Sequence, residues 1–195
     1  MKIARIAVLC GLISVFSFAQ TVDLGLGAFS NSEGIIELTV DANLAIHKLD
    51  SPYVMFMAYM GAKPDPEIER SIDITRDTVA MIYNGQEYRM PTVQELRKNY
   101  NGQKNDISLY ERLGKEALIL SQVRFLQFIE GTDFFPVLGS GTTIPTSVAS
   151  LTPSIGFKTK LYFKNPGFKK GDTLQIKVWG SKDPSLKGEV TVVLK

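Results

Sequence analysis

Cysteine is almost missing from this chain: Cys10 is the only one, and it sits inside an apolar N-terminal run. If that run is removed, no disulfide can form and the fold must be held by its core, which a chain well above ~70–80 residues can manage. Histidine is equally scarce. His47 has no second histidine and no cysteine to share a zinc ion with, so no zinc site is expected and His47 reads as a structural or surface residue. Net charge is small, with 22 Lys and Arg against 20 Asp and Glu, and without Lys2 and Arg5 the two signs balance. Overall charge therefore points to no class of partner, and nucleic acid is not expected.

Catalytic signatures are lacking too. Ser140 lies in Gly139-Ser-Gly141, without the spacing or strand-to-helix context of a nucleophile elbow. Gly25-x-Gly27 lacks the third glycine of a dinucleotide fingerprint, and Gly102 to Lys115 offers no phosphate loop. Asp65-x-Glu67-x-Glu69 lacks the loop spacing and glycine of an EF-hand and reads as a solvated acidic turn. The expectation is a protein without cofactor or metal and without a recognisable catalytic apparatus. Acid–base pairs that act on sugars depend on spacing in the fold, which the sequence does not reveal.

What is present begins with an export signal. Lys2 and Arg5 precede an apolar run from Ile6 to Phe16, and Ser17-Phe18-Ala19 supplies a small-x-small cleavage site. The run is too short to cross ~30 Å of hydrocarbon as a helix, so residues 1–19 read as a cleaved signal peptide, Gln20 becomes the first residue, and no transmembrane segment is left. Val8-Leu9 before Cys10 are too bulky for a lipoprotein signal. The product would be periplasmic or extracellular, and the signal has a bacterial look.

Residues 20–195 read as one domain of mostly β structure, an antiparallel immunoglobulin-like β-sandwich with a two-helix insert at about 92–114. The clearest local signal is Asn84-Gly85 between Thr78–Tyr83 and Glu87–Met90, because a type I′ hairpin turn needs positive φ at both central residues. Pro91 ends the second strand, and Thr92-x-x-Glu95 is the capping box of a helix with Val93, Leu96 and Tyr100 on its apolar stripe. Asn101-Gly102 stops it, Asn105 or Asp106 caps a second helix with stripe Ile107, Tyr110 and Leu113, and Gly114 ends that one.

Ile36, Leu38 and Val40 alternate with Glu37, Thr39 and Asp41, the period of a half-buried strand, whereas Asp41 to Asp50 is ambiguous. Tyr53 to Met60 is apolar on both faces, which suits a central strand, with a buried helix as the rival reading. Lys63-Pro-Asp-Pro66 is a turn, and Ile72 and Ile74 belong to another strand. Residues 118–129 are rich in β-branched and aromatic side chains and predict a strand centred on 123–129, closed by Phe134-Phe135-Pro136. The turn-rich stretch 139–153 reads as an excursion between sheets. Three strands finish the chain: one with Ile155, Phe157, Thr159, Leu161 and Phe163 on one face, one with Leu174, Ile176 and Val178, and one with Val190, Val192 and Leu194. No βαβ rhythm appears, and the Cys-Trp-Cys hallmark of true immunoglobulin domains is absent.

Two surfaces stand out. Opposite the apolar residues of the last strands lie Lys158, Lys160 and Tyr162, then Lys177 and Trp179; if the strands are neighbours, this outer face could stack on a sugar or meet an anionic polymer. Residues 155–195 carry nine Lys against three acids, so the C-terminal part is basic. On the helices, Arg97, Lys98 and Arg112 lie off the apolar stripes and should face water. The bland reading of both surfaces is a solvated face, with the aromatics packed under a loop or the insert. The favoured function is an exported, non-catalytic module of the cell envelope that binds a protein or an envelope polymer. The alternatives are a carboxylate-dependent glycan-active enzyme or a structural domain of a surface assembly.

Overall fold

The computed structural model describes residues 20–65, 71–123, 128–129 and 147–195. The expected signal peptide with Cys10, Pro66, Glu67 and Glu69, the middle of the 118–129 stretch, Phe134-Phe135-Pro136 and the 139–146 part of the turn-rich stretch with Ser140 lie outside the described residues.

The fold is mostly β and its sheets are antiparallel apart from one short parallel edge. Strands β1 (Val22–Gly25), β2 (Ala28–Asn31), β3 (Ile36–Asp41), β4 (Tyr53–Ala62), β10 (Gly156–Lys164) and β8 (Phe128–Ile129) form one sheet in that order, with β8 parallel to β10. A second sheet runs β12 (Lys187–Val193), β11 (Thr173–Trp179), β6 (Val79–Tyr83), β7 (Gln86–Arg89). Strands β5 (Ile72–Thr75) and β9 (Val148–Leu151) pair with each other, so the C-terminal part of the expected 139–153 excursion is a strand. Four helices, α1 (Asn43–His47), α2 (Val93–Asn99), α3 (Gln103–Leu113) and α4 (Glu116–Leu120), accompany the sheets.

The central-strand reading of 53–60 holds. In β4 every residue from Val54 to Ala62 is buried, and the strand sits between β3 and β10. Register places Leu38, Met60 and Phe157 on one face, and Thr39, Tyr59 and Lys158 on the other. The first face shares a single cluster of buried side chains with Met81, Ile176, Val178, Val190 and Val192 of the four-stranded sheet. Fully burying each such aliphatic side chain contributes about 1.5–3 kcal/mol. The second face meets the helices, where Tyr59 and Tyr162 contact Tyr110 and Asp106. This cover corrects the half-buried reading of β3: Glu37, Thr39 and Asp41 are buried along with the apolar set.

The Asn84-Gly85 turn forms with φ of 50° and 76°, as a type I′ turn requires, and pairs Tyr83 with Gln86. The capping box forms as well. Thr92 Oγ1 accepts from Glu95 N–H at 3.1 Å, and Glu95 Oε2 accepts from Thr92 N–H at 2.7 Å. The second helix starts earlier than expected, at Gln103, and Gly114 closes it in the left-handed conformation. Its buried stripe is Gln103, Asp106 and Tyr110, so Asp106 faces inward instead of capping, and Ile107 and Leu113 are only half-buried. The 118–129 stretch, expected as a strand centred on 123–129, is helical at its start, turns at 121–123 and is a strand at Phe128–Ile129. Glu116–Leu120 is a third insert helix that buries Ile119, because Glu116, Ala117, Leu118 and Leu120 are good helix formers and outweigh the single β-branched residue.

The two large sheets come closest where β12 passes β2 and β3. Asn31 Nδ2 donates to Glu189 O at 2.7 Å, and Thr191 N–H donates to Thr21 Oγ1 at 2.9 Å. A Cβ on Gly188 would lie 2.2 Å from Ile36 O, so this approach requires glycine.

Candidate functional site

The expected aromatic and basic face of the last strands is divided by the fold. Lys158, Lys160 and Tyr162 belong to the six-stranded sheet, and Lys177 and Trp179 to the four-stranded one, so they do not share a surface. Tyr162 is 1% exposed and turned toward the helices, which corrects its placement on an outer face. Lys158 reaches Glu116 of α4 at 2.6 Å, and Lys160 is half-buried. The reason is that the helical insert lies on this side of β10, a location that strand periodicity cannot report.

Beneath the insert is a polar layer holding five of the seven tyrosines. Asp106 accepts from Tyr100 OH at 2.8 Å and from Tyr162 OH at 3.4 Å, and pairs closely with Lys48. Burial alone would lower the Lys48 ammonium, but its bonds to Asp106 and Tyr100 outweigh that and hold it above the usual lysine range. Four residues further along α3, Tyr110 OH meets Tyr59 OH at 2.8 Å, and burial raises both phenols well above their ordinary value. Asp41, 1% exposed, accepts from Asn43 N–H at 2.8 Å and Asn43 Nδ2 at 2.9 Å through one oxygen, and burial raises its carboxyl. Apart from Lys48, whose side chain is 28% exposed, these groups have almost no contact with solvent, so their chemistry is the docking of helices on the sheet.

The surface that does reach solvent is the outer face of the four-stranded sheet. Cross-strand register lines up Glu189, Lys177, Ala80 and Arg89 in one row, and puts Trp179 opposite Lys187 in the next. Ala80 is small, and the Arg89 guanidinium reaches across to lie 4.9 Å from the centre of the Trp179 ring. Arg89 also pairs with Glu87 at 2.5 Å and donates to Asp77 O at 2.6 Å, and Lys177 is 3.7 Å from Glu189. Trp179, Pro184, Lys187 and Glu189 line a shallow groove of about 170 Å³. Lys187 is exposed, and among the described residues no carboxylate pairs with it. Arg89 and Lys187 escaped the sequence reading. The Asn84-Gly85 turn could have found Arg89, since a two-residue hairpin fixes its register opposite Ala80.

Arg97 and Lys98 are exposed on α2 and Arg112 on α3, as the stripes predict. His47 is exposed, with Nδ1 bonded to Asn43 O at 2.7 Å, and Gly25-x-Gly27 is the turn between β1 and β2. Among the described residues no cluster of three or more His, Cys, Asp or Glu side chains is placed to hold a metal, and no helix is long and apolar enough to cross a membrane. Comparison with protein-family models, with curated proteins and with solved structures finds no match to this chain.

Proposed function

We propose that the protein is an exported, non-catalytic binding module of the cell envelope, an immunoglobulin-like sandwich whose four-stranded sheet engages an anionic envelope polymer. The observation that carries this reading is the outer row of that sheet, where Trp179 borders a groove with Lys187 beside it and Arg89 on its ring. Aromatic faces give a sugar ring contact area, and lysine and arginine give an acidic chain its counter-charge. Export rests on the N-terminal pattern from Lys2 to Ala19, and a mature N-terminus at Gln20 in the secreted protein tests it. The glycan-active alternative needs two carboxylates facing a cleft. The most buried ones, Asp41 and Asp106, are committed to the helix–sheet layer.

Trp179 is the only tryptophan, so its emission reports on this face directly. Titration with a purified anionic envelope polysaccharide is expected to change that emission saturably. The affinity falls with salt and falls again in Lys187→Ala and Arg89→Ala, while a neutral glucan binds more weakly. Emission that does not respond to the anionic polymer removes this face from the reading.

A further inference from the structure

At the end of the six-stranded sheet lies a cleft of about 430 Å³, within the size range of small-ligand sites, built by pieces far apart in sequence. The β1–β2 turn, Phe29, the exposed side of α1, Lys115 and the end of β12 converge on it. Asn43, 3% exposed, frames it: its Nδ2 donates to Leu26 O and Asp41 Oδ1, and its Oδ1 accepts from Lys115 Nζ at 2.8 Å. Gly27 is pressed against this frame, since a Cβ there would stand 3.2 Å from Ile46 Cδ1 and 3.3 Å from Asn43.

Leu26, with φ of 57°, is the first residue of the two-residue turn that pairs Gly25 with Ala28, and it is 44% exposed at the mouth. Lys115 is half-buried, its bond partner is a neutral amide oxygen, and among the described residues no carboxylate is within ion-pair distance of it. The other charged groups on the wall are His47 and the Asp23–Lys195 pair, which is closed at 2.6 Å and neutralises itself. Because Nδ1 of His47 must donate to the Asn43 carbonyl, its Nε2 is the nitrogen left for a ligand. The site thus combines a half-buried lysine, whose charge also acts on the Asp41 carboxylate behind Asn43, with an apolar wall of Leu26, Phe29, Ile46 and Val193.

We infer that this cleft binds a small amphiphilic carboxylate. Lys115 meets the headgroup, with His47 beside it, and the apolar body lies on Phe29, Ile46 and Val193 under the Leu26 side chain. The inference is independent of the polymer-binding face, which involves other residues.

The test uses the purified, isotope-labelled protein with decanoate as probe, 1-decanol as its uncharged counterpart, and calorimetry with two-dimensional NMR as readouts. Decanoate is expected to bind saturably and to shift the Leu26, Ile46 and His47 resonances. Lys115→Met is expected to weaken decanoate by about tenfold, the scale of one charge-assisted contact, while Lys115→Arg retains it and decanol responds to neither variant. Leu26→Gly, which leaves the Asn43 frame intact and suits the turn, is expected to weaken decanoate and decanol together. No saturable decanoate binding, shifts that avoid this cleft, or equal affinities for decanoate and decanol would each overturn the inference. Should Lys115→Met fail to fold, the Leu26→Gly affinities and the Leu26, Ile46 and His47 resonance shifts decide the matter without it.

Discussion

Tyr100 donates its phenolic hydrogen to Asp106 Oδ2 at 2.8 Å, joining the residue that ends α2 to the inward face of α3. Lys48, from the segment after α1, completes the contact by pairing with the other carboxylate oxygen. Helix α3 is thus docked by a charge that no apolar stripe would foretell. Removing Asp106 leaves Lys48, Tyr100 and Tyr162 without their common acceptor. Asp106→Ala is expected to cost about 3 kcal/mol, read as a shift of the urea midpoint.

The same layer sets an alkaline limit. Lys48, Tyr59, Tyr100 and Tyr110 all have folded-state values raised above their ordinary ones. For a raised group, stability is complete below the unfolded value and is lost as pH climbs through the folded value. The urea midpoint is therefore expected to hold up to about pH 10, where free tyrosine and lysine begin to titrate, and to fall beyond it. Tyr110→Phe should flatten the decline, and an unchanged slope in that variant would refute the assignment.

Asp41 works in the opposite sense to the exposed acids. Its second oxygen has no hydrogen-bond partner among the described residues, and burial raises its carboxyl. The stabilisation from its protonation is present at low pH and lost as pH rises through the folded value, so at neutral pH Asp41 bears a desolvation cost. Asp41→Asn keeps an acceptor for Asn43 and removes the charge. It is expected to match or exceed wild-type stability at pH 7, with the advantage shrinking toward pH 4. A marked loss at pH 7 would show that the charge itself is needed, with Lys115 as its obvious counterpart.

Gly188 tests how the sheets join. A Cβ there would overlap the Ile36 carbonyl, a backbone atom that cannot swing aside. Gly188→Ala is expected to cost about 3 kcal/mol and to lower Tm, whereas alanine at Gly167, with open space around it, carries only the penalty of its positive φ, about 1 kcal/mol.

The hairpin at Asn84-Gly85, the Thr92–Glu95 cap, the inward sets Leu174/Ile176/Val178 and Val190/Val192, and the doubly covered strand at 53–60 were all legible in the residue order. Each depends on contacts a few residues apart, on a period-two pattern that burial on one side imposes or, for 53–60, on an unbroken apolar run that burial on both sides imposes. The α1 and α4 helices were not legible, since each spans five residues and short segments take their conformation from their surroundings. Asp106 was misread for a related reason: a carboxylate near a helix start resembles a cap until its tyrosine and lysine partners are brought to it from distant segments.

The chain's own residue order determined where strands turn, where the first insert helix starts and which alternate side chains are greasy. Tertiary structure decided which sheet each strand joined, and with it the fate of the lysine–aromatic pattern: the helical insert closed over Tyr162, and Trp179 met Arg89 across Ala80 instead. Periodicity distinguishes the two sides of a strand. It carries no information about which distant element will cover either side, because that depends on long-range packing.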